Sequence, residues 1–324
     1  MSTIRNKQRL LHLYRYLMEN TDEEHQATTN DLVAFLREED ANASRKTVKD
    51  DIEVLIEEGV DIVTTKSYYN AYFIGSRQFE IPEIELMVDG IAANVSFTLE
   101  QKEKLIGNLL GMLSVHQAQK VKKKIVYSGN SKNEQSYYNV DRITDAINEE
   151  KKIEFLYHDI KYVGNNGIGS DENTYVITPY VLTCRDSSFY VIGHCAETGV
   201  IKAFRIDLIT KARILDEAGE PVPADFSLEE YTRALFQMQD GPLTEVILKC
   251  KNETMGEIRD KFGENCDRWK STPGSFYVKA LVCVSSAFYA WIFQHCGDIS
   301  IISPVSVLSG YADMIRKAKH NDRK

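Results

Sequence analysis

Apolar residues near the N-terminus recur every three or four positions, the period of a helix with one buried face. Leu10, Leu11, Tyr14, Leu17 and Met18 make such a face between Ile4 and Met18, leaving Arg5, Lys7, Arg9 and Arg15 to solvent. A short second helix carries Leu32, Val33, Phe35 and Leu36, and either Thr28 or Thr29 can cap it. Its acidic end, Glu38-Glu39-Asp40, passes into a turn at Ala41-Asn42-Ala43. A third helix starts at Ser44, whose hydroxyl can accept a bond from a first-turn amide, and stops near Gly59. Val48, Ile52, Leu55 and Ile56 share one side of it, while Arg45, Lys46, Thr47, Lys49 and Asp50 crowd its opening turns on the other. The period then drops to two: Asp61 to Thr65, the polar turn Lys66-Ser67 and Tyr68 to Ile74 read as a β-hairpin.

Three helices followed by a hairpin predict a winged helix-turn-helix over residues 1–78. In that arrangement the third helix enters the major groove with its N-terminal residues at base edges, and the wing reaches phosphates. Ser44, Arg45, Lys46, Thr47 and Lys49 are the expected DNA contacts, with Lys66 on the wing. Cations at a helix N-terminus oppose its dipole and forgo about 0.3–1 kcal/mol each, a cost that contact with phosphate or bases explains. A merely solvated helix face is the competing account of the same charges.

Residues 79–137 return to helical spacing, through Ile84 to Val88 and then a helix opened by Thr98, with Gln101 placed for a capping box. Lys120, Lys122, Lys123 and Lys124 suit a solvated helix C-terminus, and the stretch is expected to serve as connector and dimer surface. From Tyr138 a helix with Ile143, Ala146 and Ile147 leads into the alternating strand Lys152 to Tyr157. Tyr175 to Ile177, Tyr180 to Leu182, Phe189 to Ile192 and Ile201 to Ile206 follow as short strands, with turns at Asp186-Ser187-Ser188 and Glu197-Thr198-Gly199. This regular spacing predicts a small β-barrel over 138–222.

A linker over 223–242, with a short helical piece from Leu228 to Phe236, precedes a last change of pattern. Strands at Thr244 to Cys250, Cys266 to Lys270, Phe276 to Val284 and Ile299 to Ser303, with helices at Met255 to Phe262 and Ala287 to Cys296, give a ferredoxin-like β-α-β-β-α-β order over 243–324. A final helix from Val305 carries Leu308, Tyr311, Met314 and Ile315 on one face. The predicted class is therefore α+β and multidomain.

Composition narrows the options. A chain of 324 residues with 43% hydrophobic and 27% charged residues is expected to fold throughout as two or three domains. Its net charge of −9 argues against non-specific coating of nucleic acid, though not against one basic face. No signal peptide or membrane span is discernible, so a cytoplasmic protein is expected, and six cysteines without a C-x-x-C pair read as buried free thiols. Gly164 to Gly169 lacks the lysine of a phosphate-cradling loop, and no Gly-x-Ser-x-Gly or His-Glu-x-x-His occurs. No enzyme, metal site or cofactor is expected.

Two stretches carry a family resemblance. Ser44-Arg45-Lys46-Thr47-Val48-Lys49-Asp50-Asp51-Ile52, before Gly59-Val60 and a tyrosine-bearing wing, resembles the helix-turn-helix at the head of many WYL-domain regulators. Ile153-x-Phe155-x-Tyr157, Pro179-Tyr180, Phe189-Tyr190-Val191-x-Gly193 and Phe204-Arg205-Ile206-Asp207 then follow in the order of a WYL domain. Phe189-Tyr190-Val191 stands for the name-giving Trp-Tyr-Leu, and Asp207-Leu208-Ile209 for the closing Asp-Arg-Ile, without its arginine. Lys202 stands where an arginine is common, and Trp291-Ile292, Gly297, Ile301, Pro304 and Leu308 match the extension that commonly follows such domains.

The resemblance implies an Sm/SH3-like barrel that senses a negatively charged ligand, a nucleotide or a short nucleic acid, in a homodimeric DNA-binding transcription regulator. Read from the residues, Tyr157, Tyr180 and Tyr190 can stack on bases while Arg185, Lys202 and Arg205 hold phosphate. Equally, the tyrosines can be packing and Arg205 can pair with Asp207. A competing function is an accessory protein that binds RNA or single-stranded DNA to modulate a partner nuclease. Sequence-specific binding of duplex DNA separates the two.

Overall fold

The computed structural model describes residues 2–66, 70–162, 168–224, 226–264, 266–270, 273–295 and 297–321, with side chains outside 2–6, 159–162, 168–170, 270, 320 and 321. Ser67 to Tyr69, in the expected hairpin turn, most of the stretch Gly164 to Gly169 and Cys296 lie outside the described residues. Among those described, eleven α-helices and twelve strands form three antiparallel sheets, in two compact units, 1–134 and 135–324.

The first unit opens with α1 (Ser2–Asn20), β1 (Ala27–Thr28), α2 (Thr29–Glu38) and α3 (Arg45–Glu57), then β2 (Ile62–Thr65) and β3 (Ala71–Ile74). Its small sheet has the order β1-β3-β2. Thr28 takes the N-cap of α2 in a reciprocal capping box with Asp31, which settles the choice between the two threonines. At the other end of α3, Gly59 sits at φ +93°, while its amide reaches Ile56 O and that of Val60 reaches Leu55 O. These two bonds satisfy terminal carbonyls in a Schellman closure, which requires the left-handed residue that glycine supplies.

Leu13, Leu17, Leu32, Leu36, Val48 and Ile52 form the core. The buried face of α1 thus differs from the expected one: Leu13 is fully buried, and Leu11, at 64% exposure, faces outward. Arg9 is not left to solvent either. Its guanidinium makes a bidentate pair with Asp51 of α3, at 2.6 and 2.9 Å, and the bond holds the arginine more firmly charged than usual. Asp51→Ala leaves that cation half-buried without its partner, and thermal unfolding should show the N-terminal unit weakened by about 2 kcal/mol, somewhat less than for a fully buried pair.

The helices α4 (Ile81–Ala93), α5 (Leu99–Leu110) and α6 (Val115–Lys122) complete this unit around Ile84, Val88, Ala92 and Ile106. The Thr98 and Gln101 capping box forms as expected. Lys120 and Lys124 pair with Glu24 and Glu85, which accounts for part of the basic run within the fold. Asp22, buried before β1, accepts from the Ser114 hydroxyl, from the His25 ring and from the Glu24 and His25 amides. Burial pushes its carboxyl up, but the bonds from Ser114 and His25 outweigh that and hold it below the ordinary range.

A carboxyl depressed in the folded state contributes stability above its unfolded pKa, and that contribution is lost as pH falls through its folded value. Asp22→Asn should therefore lower stability at neutral pH and flatten the acid limb below about pH 4, measured by chemical denaturation across pH.

The second unit starts with α7 (Ser136–Asn148), followed by β4 (Lys151–Tyr162), β5 (Ile168–Arg185), β6 (Ser188–Cys195), β7 (Val200–Arg205) and β8 (Ile209–Ala218), and α7 packs on β4, β5 and β8. The sheet runs β7-β6-β5-β4-β8, with a 3-10 turn at Ile206–Leu208 carrying the chain from one edge to the other. The expected barrel is not closed: among the described residues the edge strands β7 and β8 do not pair with each other. Both are short beside β5, and breaks in register at Lys151/Ile153 and Glu154/Leu156 carry β8 along β4 instead. The strands expected separately at 175–177 and 180–182 are one strand, because a bulge between Pro179 and Val181 absorbs the proline that has no amide to donate.

Helix α8 (Leu228–Ala234) leads to β9 (Leu243–Lys251), α9 (Met255–Phe262), β10 (Asp267–Lys270), β11 (Ser275–Cys283), α10 (Ser286–Gln294), β12 (Ile299–Ser303) and α11 (Val305–Asn321). This is the predicted β-α-β-β-α-β succession, with sheet order β10-β11-β9-β12. Val246, Leu248, Val278, Val282, Phe288 and Ile292 are at its core, and Trp291 packs against Phe236 and Phe262. On α11 Val307 is buried and Tyr311 packs against the same core, whereas Leu308 is exposed. Of the cysteines described, Cys195, Cys250 and Cys283 are buried thiols, but Cys184 is exposed.

Candidate nucleic-acid interface and ligand site

The first turn of α3 is built by its cap. Ser44 Oγ accepts from the Thr47 amide at 3.1 Å and lies 2.8 Å from Thr47 Oγ1, so these two hydroxyls hold one another and fix the helix start. Arg45, Lys46 and Lys49 are exposed at that start, and among the described residues none of them makes an ion pair. Glu53, Glu57 and Glu58 lie exposed at the opposite end. Both ends of α3 thus carry the charge its dipole disfavours, and the arrangement concentrates positive potential at the amide end. Lys66 is exposed where β2 ends. Arg9 and Asp51, by contrast, are spent on each other behind α3.

The six residues expected to hold a ligand divide among separate places. Tyr157 joins Phe155, Tyr175 and Phe204 in a ring cluster with centroids 4.9 to 6.5 Å apart. Its hydroxyl accepts from the Arg205 amide at 3.4 Å, and Lys202 stands 5.9 Å from the Tyr175 ring. Arg205 makes two bonds to Asp207, at 3.1 and 2.8 Å, which hold it charged. Tyr190 faces the other side of the sheet, buried among Ile192, Tyr231 and Leu235, and burial pushes its hydroxyl up. Tyr180 donates to Pro221 O at 3.2 Å at the far end of the sheet.

Two cavities flank the sheet. Lys202 lines one of about 680 Å³, together with His194, Tyr231 and Asp240 and the apolar Val200, Ile201, Phe226 and Leu243. Tyr231 Oη lies 3.0 Å from Ile201 O and 3.3 Å from Asp240 Oδ1, with one proton to share between them, and burial raises the Asp240 carboxyl. Arg185 lines the other, of about 390 Å³, beside Lys261 and Trp291. Sequence reasoning missed Tyr175 and Phe204 as members of the ring cluster, although Tyr175 stands directly opposite Phe155 in the β4/β5 register. It also missed Tyr231, Asp240 and Lys261, which sit in helical or linker segments where one polar residue carries no pattern.

Residues 138–214, from α7 into β8, match the family model of the WYL domain, so the chain carries a WYL domain there. No curated protein matches the sequence. Among solved structures the chain is similar to proteasome accessory factor B/C (PafBC) of Arthrobacter aurescens, with 16% identity and a TM-score of 0.32. That likeness covers 94% of this chain and 47% of the other, so the chain spans about half the length of that relative. No helix among the described residues is long and apolar enough to cross a membrane.

Proposed function

We propose that the protein is a DNA-binding transcription regulator in which residues 1–78 form a winged helix-turn-helix and the WYL domain controls its affinity. The observation that carries the reading is the start of α3, where three exposed cations stand unpaired at a capped helix N-terminus. The order α1-β1-α2-α3-β2-β3, with sheet order β1-β3-β2, supports it, since the hairpin β2-β3 follows α3 directly and shares its core. Arg45, Lys46 and Lys49 read the major groove, Ser44 and Thr47 fix the helix start against the backbone, and Lys66 reaches phosphate from the wing.

Residues 79–137 connect and dimerise, 138–222 form a sensor built on the open five-stranded sheet, and 243–324 form a ferredoxin-like extension after the linker 223–242. The sensor takes a nucleotide or short nucleic acid against Tyr157, Lys202 and Arg205. Ligand and operator are coupled because each favours one of two dimer geometries, and the coupling free energy is reciprocal. Arg205→Ala should then leave operator affinity intact and abolish the ligand's effect on it, measured by fluorescence anisotropy with and without ligand.

A competition assay tests the reading itself. Labelled duplex bound to the protein is challenged with excess single-stranded DNA or RNA of the same sequence. Retention of the duplex is expected, and displacement by the single strands points to the accessory nucleic-acid-binding protein instead.

A further inference from the structure

The cavity beside Arg185 is walled by two tight turns. In one, between β5 and β6, Asp186 and Ser187 have φ +48° and +61°; in the other, Gln237 and Met238 have φ +48° and +54°. Each turn has two residues with positive φ, the geometry of a two-residue hairpin turn; Asp186 tolerates it, whereas Ser187, Gln237 and Met238 do not adopt it cheaply. A left-handed conformation costs an ordinary L-residue roughly 1–2 kcal/mol, and such strain persists where the surroundings impose it, often at ligand sites. Asp186, Gln237 and Met238 all line the same cavity of about 390 Å³.

Its charged lining is Arg185, Arg233 and Lys261 with Asp186 and Asp260; Arg233 and Asp260 are paired with Glu229 and Arg259, and Asp186 and the Cys283 thiol oppose the downward pull of burial on Lys261. Lys261 of α9 reaches in over the Phe236 ring, 3.9 Å from its centroid, and donates to Leu235 O at 2.6 Å. An ammonium has three donors, and this is the one bond it makes among the described residues. Arg185 faces the same space, exposed and without an ion pair among the described residues. Burial, and then the proximity of Arg185, push the Lys261 ammonium down to about 8. Two cations are thus held near each other at the edge of an aromatic wall formed by Phe236 and Trp291, with donor capacity unused.

We propose that this cavity binds a small organic anion, a carboxylate or phosphate monoester with a flat ring, its acidic group held by Arg185 and Lys261 and its ring laid against Trp291. The volume suits one such molecule, and a charge-assisted bond to either cation adds to the apolar contact. The site lies apart from the Tyr157 and Arg205 cluster and does not depend on whether α3 binds DNA. Because the bound anion favours the protonated lysine, affinity falls as pH rises through about 8.

The chain has two tryptophans, Trp269 and Trp291, so a Trp269→Phe protein reports on the cavity through its single remaining indole. Titrating it with phenyl phosphate, with benzoate and with neutral benzyl alcohol at constant ionic strength should give saturable change for the two anions only. Arg185→Ala and Lys261→Met, each added to the reporter, should weaken binding about 10- to 100-fold. Both should melt no lower than the parent, since the first is on the surface and the second removes a poorly solvated charge. Isothermal calorimetry in two buffers of different ionisation enthalpy at pH 8 should show proton uptake with the reporter and none with Lys261→Met. Absence of saturable anion binding at millimolar concentration, or binding by both cation variants as tight as by the reporter itself, overturns the proposal.

Discussion

Replacing Arg45 and Lys46 together by Ala should reduce affinity for duplex DNA by about a hundredfold or more at near-physiological salt, with no loss of melting temperature. Both side chains are exposed and unpaired among the described residues, so the fold loses nothing when they go. Removing cations from a helix N-terminus even relieves an unfavourable interaction with the dipole, and a small gain in stability is the expected by-product. The salt dependence separates their roles. A residue that contacts phosphate flattens the plot of log affinity against log salt by about 0.9 per contact, whereas one that reads a base edge weakens the preferred sequence most and leaves the slope nearly unchanged. Arg9→Ala is the control on α1: it should cost stability through Asp51 while leaving the affinity of the folded protein nearly unaltered.

The second large effect is expected at Gly193. A Cβ on this residue would lie 2.3 Å from Thr178 O and 3.0 Å from both Thr178 C and Pro179 Cα. All three are backbone atoms of β5 at the bulge, so no side chain can swing away to make room. Gly193→Ala must spread β5 from β6, and a loss of about 3 kcal/mol is expected, at the upper end of what overpacking one methyl costs. Urea denaturation measures it. Gly199→Ala, at φ +66° in an open turn, provides the contrast: strain alone, with nothing within 4 Å of the added carbon. It should cost about 1 kcal/mol.

These positions also show where the sequence is readable. Gly193 closes the Phe189-Tyr190-Val191-x-Gly193 motif, and its reason is a close approach across a strand pair, which a motif marks without explaining. The ends of α2 and α3 were legible because capping is local: Thr28 with Asp31 and Ser44 with Thr47 meet within one turn. The inward face of α1 was not, because Leu10, Leu11, Leu13, Tyr14, Leu17 and Met18 wrap most of the helix, and the choice among them is made by α2 and α3.

Strand β8 escaped notice for a related reason. Its register against β4 breaks twice, so the buried Ile209 and Ala212 keep no strict alternation. Closure of a barrel is more remote still from any local pattern, since it depends on whether β7 and β8 meet. At the site, the exposed cations of α3 were visible as a run. The partnership of Arg205 with Asp207 was visible only as one of two alternatives, and the charge on Lys261 acquires meaning only from the Phe236 ring and Arg185 brought to it by the fold.

The most direct test of the regulator reading is selection of binders from random duplex DNA by the purified 324-residue chain at near-physiological salt. The account predicts enrichment of an inverted repeat whose half-sites lie about one or two helical turns apart, contacted by two copies of α3. Enrichment of no sequence, with affinity that tracks salt alone and is shared by single strands, would contradict it.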